Sequence, residues 1–143
     1  MEFTRDRFTV STDPARLDRD VIHGTLTRMY WSAGIPRETV DRALDHSLCF
    51  GLYDGSRQIG LARLITDHAT FAYLADVFVL EEYRGLGLGV WLMECVMAHP
   101  LLPGLRRILL ATRDAHGLYA RFGFAEPEDP KMLMQRVRPD IYR

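Results

Sequence analysis

Three glycines alternate at the junction of two apolar runs, in the stretch "EEYRGLGLGVWLM" of residues 81–93. Gly85, Gly87 and Gly89 stand where a strand-like run gives way to a helix-like run. Glycine destabilises the interior of helices and strands, so three of them here need a reason. A strand that enters a helix through glycines exposes backbone N–H groups at the positive helix end, where phosphate oxygens bind. A tight turn without a ligand explains the same glycines equally well.

The glycine spacing does not suit the two commonest phosphate loops. A dinucleotide-binding loop of the form G-x-G-x-x-G that starts at Gly85 would need glycine at position 90, which is Val90. A P-loop needs the sequence Gly-Lys-Ser/Thr, whereas the chain has a single lysine, Lys131, far from the glycines. A second motif is therefore needed to decide what the glycine segment binds.

Asp76 is the other residue that could carry chemistry. It is the only charged residue in the apolar run "TFAYLADVFVL", and an unpaired buried carboxylate is costly. Asp76 therefore either pairs with an arginine, for instance Arg63 on the preceding strand, or faces a wet cleft. Both alternatives remain open from the sequence.

Hydrophobic periodicity predicts the elements that must position these residues. A strand near Phe8–Val10 precedes a helix that starts at Asp13 and stops at Gly34, and a second helix starts at Pro36. The runs "LCFGLY", "RQIGLARLIT" and "TFAYLADVFVL" predict three strands, the first two joined by an Asp-Gly hairpin turn. The third strand is nearly all apolar, which is typical of a central strand.

The second half of the chain continues with a helix after the glycines that is apolar on almost all sides. The run "LRRILLAT" predicts a strand, and "DAHGLYARFG" predicts a short helix with Asp114 as N-cap and Gly123 as terminator. The run "KMLMQRV" predicts a last strand. We expect one α/β (α+β) domain over residues 1–143, with a mixed, mostly antiparallel sheet, helices on both faces and the order β-α-α-β-β-β-α-β-α-β.

Composition limits the functional classes. The net charge of -1 disfavours a nucleic-acid-binding protein, although residues 105–143 carry 8 basic and 5 acidic side chains and suit a small anionic ligand. Cys49 and Cys95 lie in apolar runs and are predicted to be buried free thiols. There is no signal-peptide pattern, no apolar stretch of ~18–20 residues and no metal-ligand spacing. We therefore expect a cytoplasmic protein that binds neither membrane nor metal.

Two motifs in register resemble the GNAT superfamily of N-acetyltransferases. The family's loop for the pyrophosphate of acyl-CoA has the form Arg/Gln-x-x-Gly-x-Gly/Ala, which here runs from Arg84 to Gly89. Its later motif N-A-x-x-L-Y-x-x-x-G-F is matched by "DAHGLYARFGF" in all but its first residue. The order of predicted elements agrees with the family from Phe8 to Val137.

The resemblance implies acetyl-CoA as co-substrate and assigns the residues that hold it. Backbone groups of the strand before the glycines would bind the pantetheine arm, and an N–H near Val79 would face the acetyl oxygen. Asp114 stands where the family usually has an asparagine that contacts the pantetheine, and an ionised carboxylate cannot donate that hydrogen bond. The implied cofactor-binding residues are Val77, Phe78, Val79, Arg84, Gly85, Leu86, Gly87, Leu88, Gly89 and Asp114.

The resemblance also implies the catalytic groups. Tyr119 is the candidate general acid for the coenzyme A thiolate, although it lies on an apolar stripe and could simply pack. Asp76 or a water would be the general base. The implied reaction moves the acetyl group to a primary amine of a small molecule or a peptide. The alternative is an acyl-CoA-binding regulatory module without turnover.

The amine acceptor is the least defined part of the prediction. Tyr30, Trp31 and Tyr73 are the candidate acceptor-binding residues, since aromatic rings beside Asp76 suit a cationic amine. Packing in the core or in a homodimer interface is the simpler explanation for the same three residues. The identity of the amine cannot be read from the sequence.

Overall fold

A computed structural model describes residues 1–143. The strands are β1 Glu2–Arg5, β2 Phe8–Ser11, β3 Leu48–Asp54, β4 Arg57–Thr66, β5 Phe71–Val79 and β6 Arg107–Leu109, and the helices are α1 Arg19–Leu26, α2 Arg37–Asp45, α3 Leu88–Ala98 and α4 His116–Ala120. The strands form one sheet in chain order, antiparallel except for the parallel pair β5–β6. The predicted class, a mixed and mostly antiparallel sheet, is confirmed. None of the four helices is long and apolar enough to cross a membrane.

Helices cover both faces of the sheet, as predicted. One core cluster packs α3 against residues of β2 to β5, including Val10, Phe50 and Leu74. The other packs α1 and α2 against the opposite face, where Cys49, Leu61 and Phe78 point. Side chains on successive strand residues alternate between the two faces, so both helical layers find an apolar surface. The sheet is therefore a central layer between two helical layers.

The two ends of the chain differ from the predicted order. The N-terminal strand is a hairpin of β1 and β2, since Asp6 takes a left-handed φ of 54° and lets the chain reverse. The run "KMLMQRV" is not a strand: residues Pro130–Met132 form a 3-10 turn and the following residues make no backbone pairing. Alternation alone predicted that strand, but a strand also needs a neighbour, and this chain supplies none there.

The first helix is shorter than predicted. Asp13 does cap a turn, but only the 3-10 turn Pro14–Arg16; Asp18 then accepts from the N–H of Val21 and starts α1 at Arg19. The helix ends at Leu26, because the N–H groups of Arg28 and Met29 donate to carbonyls three residues earlier instead of four. The chain then turns until Gly34, whose φ is 83°. Residues 27–34 are therefore an irregular turn over one end of the sheet.

Both cysteines are buried free thiols, as predicted. Burial, the largest cause at each site, raises the pKa of Cys49 and of Cys95 to about 11. We expect a disulfide thiol reagent at pH 8 to leave the folded protein unlabelled and to label two thiols in denaturant, because the thiolate is the reactive form. A Cys49→Ser variant should give one thiol in denaturant. Rapid labelling of the native protein would contradict the burial of these thiols.

Candidate active site

The glycine segment opens a cavity at the start of α3. Gly85 and Gly87 have φ values of 81° and 76°, in the left-handed region that favours glycine, and Gly87 is the N-cap of α3. The backbone N–H groups of residues 85–90 donate to no acceptor within the protein, because the first helical bond runs from Trp91 N–H to the Gly87 carbonyl. Six consecutive free donors at a positive helix end form a surface suited to phosphate oxygens.

This cavity, the donor cavity, has a volume of about 260 Å³. Six of the residues predicted to bind the cofactor line this cavity: Val79 at the end of β5, and Arg84, Gly85, Gly87, Leu88 and Gly89 of the glycine segment. Tyr83, Val90 and Leu118 form the rest of its wall. Leu86 is outside the wall and 55% exposed.

Arg84 is anchored beside the donor cavity. Its Nε lies 3.2 Å from the Val79 carbonyl oxygen, to which it donates. The guanidinium group adds a positive charge to the wall formed by the free N–H groups. A ligand that fits this wall is an anion with several acceptor oxygens.

A larger cavity opens where strands β5 and β6 separate. The two strands pair only from Phe71↔Arg107 to Tyr73↔Leu109. Beyond Tyr73, β5 has no strand partner on that side, so half of its backbone groups there are directed into the gap. The gap is a cavity of about 620 Å³, the acceptor cavity, between Leu74–Val77 of β5 and residues 110–115 after β6.

The acceptor cavity brings together residues that are distant in sequence. Tyr119, Asp76, Val77 and Asp114 line it, as do the three aromatic residues predicted to bind the acceptor. Those aromatic residues are Tyr30, Trp31 and Tyr73. Tyr30 and Trp31 are 51% and 43% exposed and lie in the turn after α1, not at the end of a helix as the sequence suggested. Their exposure does not support the alternative that they pack in this chain's core.

Asp76 sits in a β-bulge. Asp76 and Val77 of β5 stand opposite the single residue Ala62 of β4, because the register passes from Leu61↔Phe78 to Arg63↔Ala75. The φ of Asp76 is 55°, a conformation uncommon for residues other than glycine. Bulges of this kind redirect a side chain and often lie beside active sites.

Both alternatives for Asp76 are realised in part. Its two carboxylate oxygens accept hydrogen bonds, one from Arg63 Nε at 2.8 Å and one from Trp31 Nε1 at 2.9 Å. The Arg63 and Asp76 side chains are only 14% and 12% exposed. The carboxylate is thus paired with Arg63 and still lines the acceptor cavity.

Tyr119 joins the two cavities. Its neighbour Leu118 lines the donor cavity, whereas Tyr119 lines the acceptor cavity, so α4 forms a wall of both. The helix ends at Ala120, and Gly123, predicted as its terminator, has a φ of 87° in the turn that follows, where Phe124 N–H donates to the Tyr119 carbonyl. Burial, followed by the neighbouring Tyr30, raises the pKa of Tyr119, so its phenol keeps its proton at neutral pH.

Two predictions around these residues need correction or qualification. Asp114 does not cap α4. The N-cap is Ala115, whose N–H donates to Thr112 Oγ1 at 3.0 Å. Asp114 lies one residue too early to reach the first turn. Phe78 is 5% exposed and packs with α1 and α2 on the far face, so only its backbone could face a ligand in the cavities.

Two further residues of the acceptor cavity, Tyr142 and Arg113, were not predicted from the sequence. Tyr142, near the C-terminus, lines the cavity, and its carbonyl oxygen lies against Gly34 at the end of the turn after α1. Arg113 lies over the ring of Tyr30, with its Cζ 3.8 Å from the ring centroid. Tertiary folding alone brings both residues here, since neither lies in a recognisable motif.

Comparison with known proteins identifies a family. Residues 19–124 match the model of the "Acetyltransferase (GNAT) family". A Gibberella zeae protein named as an acetyltransferase is 36% identical over 140 residues, covering 83% of this chain and 79% of that protein. Serotonin N-acetyltransferase 2, a chloroplastic protein of Oryza sativa, is 34% identical over 129 residues, covering 82% of this chain and 64% of that protein.

A solved structure agrees with the same family. A Xanthomonas campestris protein described as a GNAT acetyltransferase superposes with a TM-score of 0.92 and 56% sequence identity. The match covers 94% of this chain and 96% of that one. Nearly the whole chain therefore shares one fold with that protein.

Proposed function

The chain belongs to the acetyltransferase (GNAT) family, and from this membership we propose that it is an N-acetyltransferase acting on a primary amine of a small molecule or a peptide. Acetyl-CoA is the acetyl donor of this family. One observation carries the proposal: the glycine segment with its free N–H groups lines a donor cavity that shares α4 with an acceptor cavity lined by Tyr119 and Asp76. A pyrophosphate bound in the first would direct its thioester arm along β5 toward the second.

Strand β5 positions the thioester. Val79 lines the donor cavity and Val77 lines the acceptor cavity, so the strand runs from one to the other. Its backbone groups on the β6 side are free to bind the pantetheine amides in place of a neighbouring strand. An N–H near Val79 would stabilise the negative charge that develops on the acetyl oxygen during attack.

Tyr119 supplies the proton that the reaction needs at the sulfur. The amine nitrogen forms a bond to the acetyl carbon while the carbon–sulfur bond breaks and its electron pair stays on sulfur. The Tyr119 hydroxyl donates its proton to that thiolate. The proton lost by the amine goes to Asp76 or to a water, and later restores the Tyr119 phenol.

Asp76 is better placed to bind or orient the amine than to act alone as base. Its oxygens already accept from Arg63 and Trp31, which holds the carboxylate and the indole ring in fixed positions beside the cavity. A carboxylate among aromatic rings favours a cationic amine. The name of the rice relative makes arylalkylamines the first class to test.

Asp76→Asn should lower kcat/KM for the amine by about tenfold or more and leave the KM for acetyl-CoA within about twofold. The amide keeps the shape and removes the charge, a loss of about 1.4 kcal/mol for each factor of ten. Steady-state kinetics with each substrate varied in turn measures both effects. Asp41→Asn, which breaks ion pairs with Arg19 and Arg37 far from the cavities, is the control. An equal loss for both substrates would assign Asp76 a structural role.

The function is tested by release of the coenzyme A thiol from acetyl-CoA across a panel of amines. The panel contains an arylalkylamine, an aliphatic polyamine, an amino acid and a peptide with a free N-terminus. Amine-dependent thiol release, with the acetylated amine detected by mass spectrometry, supports the proposal. Binding of acetyl-CoA without turnover on every amine would favour the regulatory module instead.

A further inference from the structure

We infer, on the basis of the proposed function, that the amine acceptor also carries a carboxylate and that Arg113 binds this carboxylate. Four charged residues line the acceptor cavity: Arg63, Asp76, Arg113 and Asp114. Arg63 and Asp76 pair with each other, so their charges largely cancel. The positive charge left without a partner belongs to Arg113, which forms no salt bridge within the chain.

The guanidinium group of Arg113 is held at the wall of the acceptor cavity by an aromatic ring. Its Cζ lies 3.8 Å from the centroid of the Tyr30 ring, a cation–π contact that restricts the guanidinium. The Tyr30 ring packs edge-on against Trp31, with the ring centroids 5.0 Å apart. Trp31 Nε1 in turn donates to Asp76 at 2.9 Å. One row of contacting side chains therefore joins Arg113 to the Asp76 carboxylate.

This row of side chains has a carboxylate at one end and a guanidinium at the other. A carboxylate can accept about four hydrogen bonds. Asp76 accepts two within the chain, from Arg63 and Trp31, so it has lone pairs left for an ammonium group of the acceptor. Arg113 has the planar fork of donors that matches a carboxylate through two parallel hydrogen bonds. An acceptor with both an amine and a carboxylate finds a partner for each group.

No other group explains the unpaired charge of Arg113. Its neighbour Asp114 is exposed, as Arg113 is, and no salt bridge joins the two side chains. Arg113 does not line the donor cavity, so it is not part of the wall proposed to bind the pyrophosphate of acetyl-CoA. A simple alkylamine would leave the guanidinium without a counter-ion.

Matched pairs of amines measure the preference for a carboxylate. Each pair consists of an ω-amino acid and the alkylamine of equal length, over a range of chain lengths, and a further pair is phenylalanine and phenethylamine. The wild-type kcat/KM should be about tenfold to 100-fold higher for the carboxylate member of at least one pair, the size of a charge-assisted hydrogen bond. In Arg113→Gln that ratio should fall to about one, because the amide carries no charge.

Two further variants and a control separate the charge of Arg113 from its packing. Arg113→Glu should reverse the preference, so that a terminal diamine becomes a better acceptor than the ω-amino acid of equal length. Arg113→Lys should keep most of the wild-type ratio. Arg42→Glu changes the net charge as Arg113→Glu does, at an exposed arginine that lines neither cavity, and should keep the wild-type ratio.

The outcomes distinguish this inference from the proposed function. Acetylation of the amines with a ratio of about one in every wild-type pair, or a ratio that Arg113→Gln leaves unchanged, would overturn the inference and uphold the function. A KM for acetyl-CoA that rises about tenfold in Arg113→Gln would also overturn it, since Arg113 would then bind the donor. Turnover of no amine would overturn the proposed function, and the inference with it.

Discussion

Tyr119→Phe is expected to lower kcat by about 100-fold to 10,000-fold, the range that a positioned general acid contributes. The phenylalanine ring keeps the packing of α4 against Phe124 and removes only the hydroxyl in the acceptor cavity. The affinity for acetyl-CoA should stay within about twofold, because the free N–H groups of residues 85–90 are unchanged. Steady-state kcat and a binding titration of acetyl-CoA measure the two quantities separately.

The pH dependence identifies the role of the hydroxyl. Burial raises the pKa of Tyr119 above its ordinary value of about 10, so the acid form persists through neutral pH and is lost only at higher pH. The wild-type kcat should therefore fall on the alkaline side, and the residual activity of Tyr119→Phe should not show that fall. Tyr53→Phe removes another buried phenol that lines neither cavity and should retain kcat and the alkaline fall. Full activity of Tyr119→Phe would remove the general acid from the mechanism.

Gly89→Leu is expected to raise the dissociation constant for acetyl-CoA by about tenfold or more while the protein stays folded. A Cβ added at Gly89 meets no atom within 4 Å, and the residue lines the donor cavity, so a leucine side chain would fill the space left for phosphate oxygens. Each charge-assisted hydrogen bond lost there costs about 1.5–3 kcal/mol. Calorimetric titration with acetyl-CoA measures the change.

Two control variants make this test specific. Gly24 lies in α1, away from both cavities, and a Cβ there also meets nothing within 4 Å. Gly24→Leu should therefore stabilise the protein by roughly 0.5–1 kcal/mol, because leucine has a higher helix propensity than glycine. The affinity for acetyl-CoA should not change. Gly89→Ala should bind nearly normally, because alanine occurs at this place in the family motif. Unchanged affinity of Gly89→Leu would exclude the glycine segment as the phosphate site.

The local parts of the site could be predicted from the sequence. The glycine segment follows from a short-range rule, since unpaired N–H groups at the start of a helix depend only on residues 84–91. The short helix around Tyr119 was also predictable, because Gly123, three residues after its end, takes the left-handed conformation in which a helix cannot continue. The cost of a buried charge limited Asp76 to pairing with an arginine such as Arg63 or facing a wet cleft, and the structure shows the pair at the edge of the acceptor cavity.

The parts that depend on contacts between distant residues could not be predicted. The bulge at Asp76 is a mismatch between two strands, and neither strand alone encodes it. Tyr142 reaches the acceptor cavity only because the chain end packs against Gly34. The run after Pro130 alternates like a strand and yet finds no neighbour within the chain. In each case the missing information is the position of a second segment.

The most direct test of the account is a thermal-shift titration with acetyl-CoA. A ligand at 100 times its dissociation constant stabilises the native state by about 2.7 kcal/mol, which for a chain of this size raises Tm by roughly 5–10 °C. We expect Tm of the wild type to rise steadily with the logarithm of acetyl-CoA concentration, and the curve for Gly89→Leu to shift to at least about tenfold higher concentration. A wild-type Tm that responds to neither acetyl-CoA nor coenzyme A would contradict the central claim.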